Sequence, residues 1–216
     1  SKANESALSS GLIEPTGMVT LTDVLNIALS ANPELAVALR EREAVDGIRV
    51  QAATRLNPSI STSVQDTRRE NRQIYLQLNQ EIELGNKREA RMDAADATYK
   101  KANAELDSKK AEIHANVVSA FYELLAAQER LKLSQSSLEV ANQALDASAK
   151  RVKAGKSSPV EETKSKIAQS SAKIELSQAT SQLNSARKRL SALWGSSNPV
   201  YEYAKGDVEN IPAIAS

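Results

Sequence analysis

The sequence predicts a mainly α-helical protein: a long antiparallel helical hairpin, or coiled coil, that carries one short β-hairpin. Three observations predict it. Residues 86–154 contain neither proline nor glycine, and at 1.5 Å per residue such a segment makes a helix of about 100 Å. A Gly-Lys-Ser-Ser-Pro turn at 155–159 then reverses the chain. Between residues 59 and 84, apolar and polar side chains alternate with the period of two that is typical of strands.

The composition fits a thin helical molecule better than a thick globular one. Aromatic residues make up only 3% of the chain, and the apolar content is mostly alanine and leucine, which favours long helices with a narrow apolar seam. The net charge of +1 gives no sign of nucleic-acid binding. The absence of cysteine excludes disulfides and thiolate metal sites. No apolar run approaches the roughly 20 residues of a transmembrane helix, and we expect any signal peptide to have been removed from the polar start.

Two helices are predicted near the start. Residues 1–18 are polar and are predicted to form a flexible N-terminal lead. A helix over 20–31 follows, with Thr20 or Thr22 as its N-cap. Asn32 is placed to cap a second helix over 33–56, which the Asn57-Pro58 pair ends.

The alternating segment predicts a β-hairpin over residues 59–84. Two interpretations of its apolar face remain open. In one, the face rests on the helices. In the other, the two strands are staves of a membrane barrel, apolar toward lipid and polar toward a lumen. The expected lipid face then consists of Ile60, Thr62, Val64, Ile74, Leu76 and Leu78.

The long helix, 86–154, shows apolar residues every seventh position in two frames. The frame shifts by four residues near Val117, which is a stutter. In the second frame the partner positions include Gln128, Gln135 and Asn142. Because two-stranded coiled coils prefer branched aliphatic residues there, we expect a weaker and wetter seam in the second half.

The turn and the returning helix carry the strongest local signals. Gly155 suits the left-handed conformation that ends helices. Ser158 and Glu161 have the spacing of a capping box, with Pro159 at the first helical position. The return helix covers 159–194, and a tail, 199–216, follows. Helices 33–56 and 159–194 together are about as long as the long helix, so they could lie end to end along it.

Four segments, in their order and spacing, resemble the outer-membrane efflux protein family, whose best-known member is TolC. The segments are LTDVLNIALSANPEL at 21–35, NPSI at 57–60, QEIELGNKR at 80–88 and VKAGKSSPVE at 152–161. The third looks like the strand-to-helix junction of the heavy-metal, CzcC-like branch, which usually reads Pro-Ile-Glu-Leu-Gly-Gly-Lys-Arg. Gln80, Glu81 and Asn86 depart from that pattern. The resemblance covers residues 19–198, one TolC-like repeat.

The resemblance implies a passive channel component of a tripartite efflux system that exports heavy-metal cations or drugs. Family members are homotrimers in the outer membrane of Gram-negative bacteria, anchored by β-strands and continued by a periplasmic helical tunnel. A periplasmic adaptor binds the tunnel and links it to an inner-membrane pump. Each subunit carries two repeats, so we expect this chain to be the N-terminal one. The alternative is a structural or scaffolding coiled-coil protein without a transport role.

The sequence predicts no catalytic residue, no cofactor and no metal site, because no nucleophile–base pair, phosphate-binding loop or ligand cluster is present. The expected functional surface is the turn between the two long helices, where the resemblance implies adaptor docking. It comprises Val152, Lys153, Gly155, Lys156, Ser157, Ser158, Pro159, Val160 and Glu161.

Overall fold

The computed structural model describes residues 15–65 and 73–206. Its elements, in order, are β1 (Gly17–Val19), α1 (Leu21–Ala31), α2 (Pro33–Ala53), β2 (Ser59–Gln65), β3 (Gln73–Asn79), α3 (Lys87–Lys153), α4 (Pro159–Ala192) and β4 (Tyr201–Ala204). The predicted mainly helical fold is confirmed. The described chain forms two compact units, one of residues 15–36 and 110–206 and the other of residues 37–65 and 73–109.

The junction between α1 and α2 is built by polar capping. Thr20 accepts the N–H of Asp23, and the Asp23 carboxylate accepts the N–H of Thr20 at 3.0 Å, a complete capping box. The Thr20 hydroxyl also donates to the Asp23 carboxylate at 2.6 Å, and this bond, together with the one from the Thr20 N–H, holds the pKa of Asp23 below its usual range. Asn32 caps α2 as predicted, since its Oδ1 accepts the N–H of Leu35 at 3.0 Å. Its Nδ2 donates to the carbonyl of Leu193 at 2.8 Å, so the end of α4 meets the start of α2.

A small two-stranded sheet forms where the sequence predicted the end of the lead and the start of the tail. The predictions of a flexible lead over 1–18 and a tail over 199–216 are wrong for residues 17–18 and 201–204, because β1 pairs in parallel with β4; residues 1–14 and 207–216 lie outside the described residues. The N–H of Lys205 donates to the carbonyl of Val19 at 2.9 Å. Gln128 of α3 fixes the other edge of β4, because its amide both donates to and accepts from the backbone of Ala204, at 2.9 and 2.8 Å.

Three buried aromatic side chains form the core beside this sheet. Phe121, Trp194 and Tyr201 are each at most 1% exposed. The Tyr201 hydroxyl donates to the carbonyl of Arg187 at 2.9 Å, and the Arg187 guanidinium lies over the tyrosine ring. Burial raises the pKa of Tyr201 to about 12, against a smaller opposing effect of Arg187. A few large rings can therefore fill a compact core although aromatic residues are rare.

Helices α3 and α4 form the predicted antiparallel pair, and their seam changes character along its length. Val117 and Leu124 are completely buried, whereas Leu131 and Leu138 are half-buried. Nearer the turn the helices are joined by an amide contact, from Gln169 Nε2 to Asn142 Oδ1 at 2.7 Å. The seam is thus more open to water toward the turn, as expected for its second half. Three ends of these two helices differ from prediction by one or two residues, since α3 covers 87–153 rather than 86–154 and α4 ends at Ala192 rather than at 194.

In the second unit, polar and cation–π contacts join α2 to α3. The guanidinium carbons of Arg42 and Arg49 lie 5.1 and 4.7 Å from the ring centroid of Tyr99, both within cation–π range. Arg42 also donates to the side chain of Asn103 at 3.1 Å, and Arg49 pairs with Asp96 at 3.7 Å.

The C-terminal end of α2 is closed by two arginines of α3. The helix ends at Ala53, three residues before the predicted end at 56. Arg88 donates to the carbonyl of Ala53 at 2.6 Å, and Arg91 donates to the carbonyls of Ala52 and Thr54 at 3.1 and 3.2 Å. Orphan carbonyls of the last turn are thus satisfied by guanidinium groups rather than by a further turn.

The β-hairpin is shorter than predicted. Strands β2 and β3 pair antiparallel from Ser59↔Asn79 to Gln65↔Gln73, so residues 80–84 lie outside the strands and the prediction over 59–84 is wrong there. Pro58 precedes β2 and has no N–H to extend the ladder. Gln80 instead donates to the carbonyl of Leu56 at 3.0 Å. Glu83 forms an ion pair with Arg91, which ties the segment after β3 to α3.

Candidate functional site: the helical tip and the apolar hairpin face

The turn between α3 and α4, which we call the tip (residues 152–161), is tightly hydrogen-bonded. Gly155 has a φ of +69°, in the left-handed region that favours glycine. Its N–H donates to the carbonyl of Val152 at 2.9 Å, and the N–H of Lys156 donates to that of Arg151 at 2.9 Å. These two bonds are the Schellman motif that closes a helix. The role predicted for Gly155 in the backbone is confirmed.

The start of α4 is capped by one side-chain bond rather than two. The hydroxyl of Ser158 accepts the N–H of Val160 at 3.3 Å, and Pro159 is the first helical residue. The predicted capping box is wrong, because the Glu161 carboxylate pairs with Lys164 at 3.1 Å instead of returning to Ser158. An (i, i+3) ion pair on the helix surface has taken the place of the reciprocal bond.

Cations are in excess at the tip. Three acidic groups near it are paired: Asp146 with Lys150 at 2.6 Å, Glu161 with Lys164, and Glu162 with Lys166 at 2.8 Å. The charges of Arg151, Lys153 and Lys156 have no ion-pair partner in the described part of the chain, and all three side chains are exposed. Two of them lie in the last turn of α3, where the helix dipole favours cations. The tip therefore presents uncompensated positive charge.

The structure brings all nine predicted tip residues together at this turn. Val152 and Ser157 are half-buried, and the others are exposed. Val160 leaves 58% of its surface open to solvent although it is apolar. The tip is thus a firm backbone turn with exposed cations and one exposed aliphatic side chain.

The β-hairpin carries the second candidate surface. The register pairs Ile60 with Leu78, Thr62 with Leu76, and Val64 with Ile74, so the six predicted residues share one face of the two strands. The five apolar ones remain uncovered, at 70% exposed for Ile60, 50% for Val64, 66% for Ile74, 73% for Leu76 and 68% for Leu78. Of the two interpretations of this face, packing against the helices is wrong for the described residues.

Within residues 15–65 and 73–206, none of the helices is both long enough and apolar enough to cross a membrane. The same residues contain no group of three or more His, Cys, Asp or Glu side chains that could hold a metal ion.

Sequence reasoning missed part of the exposed surface of α3 and α4. Val160, Ile167 and Ile174 recur every seventh residue in the sequence, but their spacing did not show which way they face. In the structure they point to solvent, at 58, 63 and 59% exposed. Leu133 and Val140 of α3 are also exposed, at 68 and 64%. Leu133 and Val140 follow the seam residues Leu131 and Leu138 by two positions. This seven-residue spacing is the sequence signal that could have identified them.

Comparison with known proteins defines the class. Among solved structures, CusC superposes with a TM-score of 0.76 at 14% identity, over 97% of this chain and 52% of that chain. The Campylobacter jejuni CmeC outer membrane channel superposes with a TM-score of 0.69 at 19% identity, over 82% and 41% of the two chains. At such identities the likeness shows the fold, which is the TolC-like helical channel fold.

The sequence gives the family. The sequence model described as outer membrane efflux protein matches residues 24–196, and the chain belongs to that family. It is also 40% identical over 107 residues to the cobalt-zinc-cadmium resistance protein CzcC of Cupriavidus metallidurans. That alignment covers 50% of this chain and 26% of the relative. The chain spans about half of the length of these solved channels, and the CzcC alignment about a quarter of that relative.

Proposed function

We propose that this chain is part of the outer-membrane channel component of a tripartite efflux system, a passive conduit for heavy-metal cations. The full-length protein acts as a homotrimer in the outer membrane of a Gram-negative bacterium, with its helices in the periplasm. Its β-strands contact the membrane, and its tip docks a periplasmic adaptor that leads to an inner-membrane pump. The membership of the chain in this family and its 40% sequence identity over 107 residues to a cobalt-zinc-cadmium resistance protein support this function.

The observation that carries the proposal is the uncovered apolar face of the β-hairpin. A scaffolding coiled coil, which is the alternative function, has no use for two strands whose apolar residues all face solvent. Contiguous exposed apolar patches mark surfaces that another molecule or a membrane covers. Lipid is the covering phase that the alternation of the two strands fits, because it leaves the opposite face polar.

A pair of neighbouring substitutions tests this face in the full-length protein. Leu76→Lys places a charge on the apolar face, whereas Gln77→Lys places the same charge on the opposite, also exposed, face of β3. A lysine facing the middle of the bilayer costs about 2–4 kcal/mol. We therefore expect Leu76→Lys to lower both the amount of protein in the outer membrane and the resistance of cells to cobalt, zinc and cadmium. Gln77→Lys should leave both near wild type, and equal losses for the two variants would support the scaffold instead.

The docking role of the tip rests on its rigidity and its charge. A turn closed by a Schellman motif and a cap is pre-organised, which reduces the entropy that binding must remove. Lys156 lies beyond the last turn of α3 and makes no ion pair in the described residues, so its charge is free for a partner. We propose that it contacts the adaptor.

Lys156→Glu in the full-length protein should lower metal resistance while thermal stability changes by less than about 0.5 kcal/mol, as at most surface sites. Lys132→Glu is the matched control, because Lys132 is an exposed lysine of α3 away from the tip. Normal resistance with stably expressed Lys156→Glu protein would refute docking through this residue. Measuring resistance to organic drugs in the same strains decides between metal and drug export.

A further inference from the structure

The pair of helices α3 and α4 has one broad face that the small sheet covers. Gln128 of α3 exchanges two hydrogen bonds with the backbone of Ala204 in β4. On α4, Arg187 donates to the carbonyl of Tyr201 and lies over the ring of that residue. The chain itself therefore covers this face, which we call the sheet face.

The opposite face of the same two helices is uncovered. On α3 it carries Arg130, two positions after Gln128, and on α4 it carries Ser185 and Arg189, two positions before and after Arg187. At about 100° per residue, two positions place a side chain roughly 160° around the helix from the first. A groove follows this face between the helices. We call it the groove face, and its polar lining residues are Glu123, Arg130, Ser181, Gln182, Ser185 and Arg189.

Short side chains keep the groove open to water. In the described part of the chain, the other residues that line it are Ala126, Ala127 and Ala186. An apolar constriction in a pore blocks ions by expelling water. Hydroxyl, amide and charged groups beside small alanines have the opposite effect, so the groove face stays wet.

Charges of both signs lie on the groove face. Glu123 pairs with Arg189 across the groove at 2.7 Å, so these two charges offset each other. Arg130 donates to the neutral amide of Gln182 at 3.1 Å and makes no ion pair in the described residues. Glu175, which is exposed, lines the adjoining part of the groove together with Arg130. The groove face is therefore balanced in charge overall, and Arg130 is a positive charge that no ion pair neutralises.

A tube built from several such subunits turns one face of each helix pair toward its axis. The inside of a ring has the shorter circumference, so the thinner face of each subunit fits there. The groove face carries only the side chains of α3 and α4, whereas the sheet face also carries two strands and a buried aromatic core. Hydrated cations in addition require a polar wall. Both requirements favour the groove face.

We propose that the groove face is the part of the conduit wall that this chain contributes, and that Arg130 helps to set the charge preference of the conduit. The proposal rests on the proposed channel function and names residues that the cargo meets. Charged side chains repeated at one level of a pore discriminate between cations and anions. In a homotrimer, every subunit places Arg130 at the same level, with Glu175 nearby to offset it. A balanced wall suits a passive conduit, because cargo that binds strongly cannot leave.

Charge reversal on the two faces tests this assignment in the full-length protein in planar lipid bilayers. Arg130→Glu changes the groove face, and Lys205→Glu is the matched control on the sheet face. Lys205 is exposed and directly follows Ala204, which is bonded to Gln128, so it lies close to the level of Arg130. The reversal potential in a KCl gradient gives the permeability ratio of potassium to chloride. We expect Arg130→Glu to raise this ratio at least about two-fold, and Lys205→Glu to leave it unchanged.

A second pair of variants keeps the test independent of Arg130. The 216 residues contain no cysteine, so Ser185→Cys and Glu202→Cys introduce single thiols on the groove face and on the sheet face; both positions are exposed. A positively charged methanethiosulfonate reagent is added to conducting channels, with wild-type protein treated in the same way. We expect stepwise loss of potassium conductance for Ser185→Cys, and no change for Glu202→Cys or wild type.

Three results would overturn the wall assignment. They are an unchanged permeability ratio in conducting Arg130→Glu channels, an equal shift in Lys205→Glu channels, and a Ser185→Cys conductance that the reagent does not alter. If Arg130→Glu protein fails to assemble, the Ser185→Cys result decides. A wild-type protein that conducts no ions would refute the channel function itself. A conducting wild type with unresponsive groove-face variants refutes only the wall assignment, so the two proposals fail separately.

Discussion

Replacement of Asn32 should weaken the joint at which the end of α4 meets the start of α2. The side chain is only 7% exposed and makes two bonds of different kinds. Its Oδ1 caps α2 through the N–H of Leu35, and its Nδ2 donates to the carbonyl of Leu193. Loss of an N-cap costs about 1 kcal/mol. A part-buried carbonyl that loses its donor costs about 1–2 kcal/mol more.

Asn32→Ala should therefore lower the free energy of unfolding by about 2–3 kcal/mol. Asn32→Ser separates the two contributions, because a serine hydroxyl still caps α2 but is too short to reach Leu193. We expect the serine variant to lose only the part due to the Leu193 bond, about 1–2 kcal/mol.

Urea denaturation followed by tryptophan fluorescence measures this effect locally. Trp194 is the only tryptophan in the sequence, it follows Leu193 directly, and it is 1% exposed. A loss below about 0.5 kcal/mol for Asn32→Ala, within the range of ordinary surface changes, would refute the role assigned to the joint. A serine variant as stable as wild type would show that the bond to Leu193 contributes nothing.

Three further changes have clear expected outcomes. Ser158→Ala removes the 3.3 Å cap of α4 and should cost about 0.5–1 kcal/mol in thermal unfolding; an unchanged midpoint would contradict the cap. Asn86 has a φ of +59°, so Asn86→Ala should cost about 1–2 kcal/mol, whereas Asn86→Gly should match wild type. Between pH 10 and 12 the unfolded chain releases the Tyr201 proton and the folded chain retains it, so roughly 2–3 kcal/mol of stability is lost as pH rises. Tyr201→Phe should remove that part of the alkaline loss in urea titrations, and an equally steep loss would contradict the raised pKa.

Local signals in the sequence predicted the elements whose causes are local. The turn at Gly155, the Asn32 cap and the apolar face of the β-hairpin follow from residue type and spacing within a few positions. The glycine φ, the bond to Leu35 and the register Ile60↔Leu78 all agree with them.

Features that depend on distant partners were not predictable in this way. Strands β1 and β4 have three and four residues, too few to show alternation, and each is completed only by the other. The Tyr201 and Tyr203 pair was a weak strand signal in the expected tail. The apolar seven-residue spacing from Val160 to Ile174 did not reveal an exposed face, because spacing within one helix cannot show which neighbour the face meets.

The joint between the β-hairpin and the helices has a consequence for how such a protein reaches its final environment. Arg91 holds Glu83 and the last carbonyls of α2 by charge and hydrogen bonds, and none of these bonds involves the apolar residues of the strands. The hairpin can therefore be oriented before another molecule covers it, and its apolar face remains available for burial. In water this exposed face is a liability, since two apolar strands with unpaired edges favour self-association. We therefore expect the surface around Leu76 to promote self-association unless another molecule covers it.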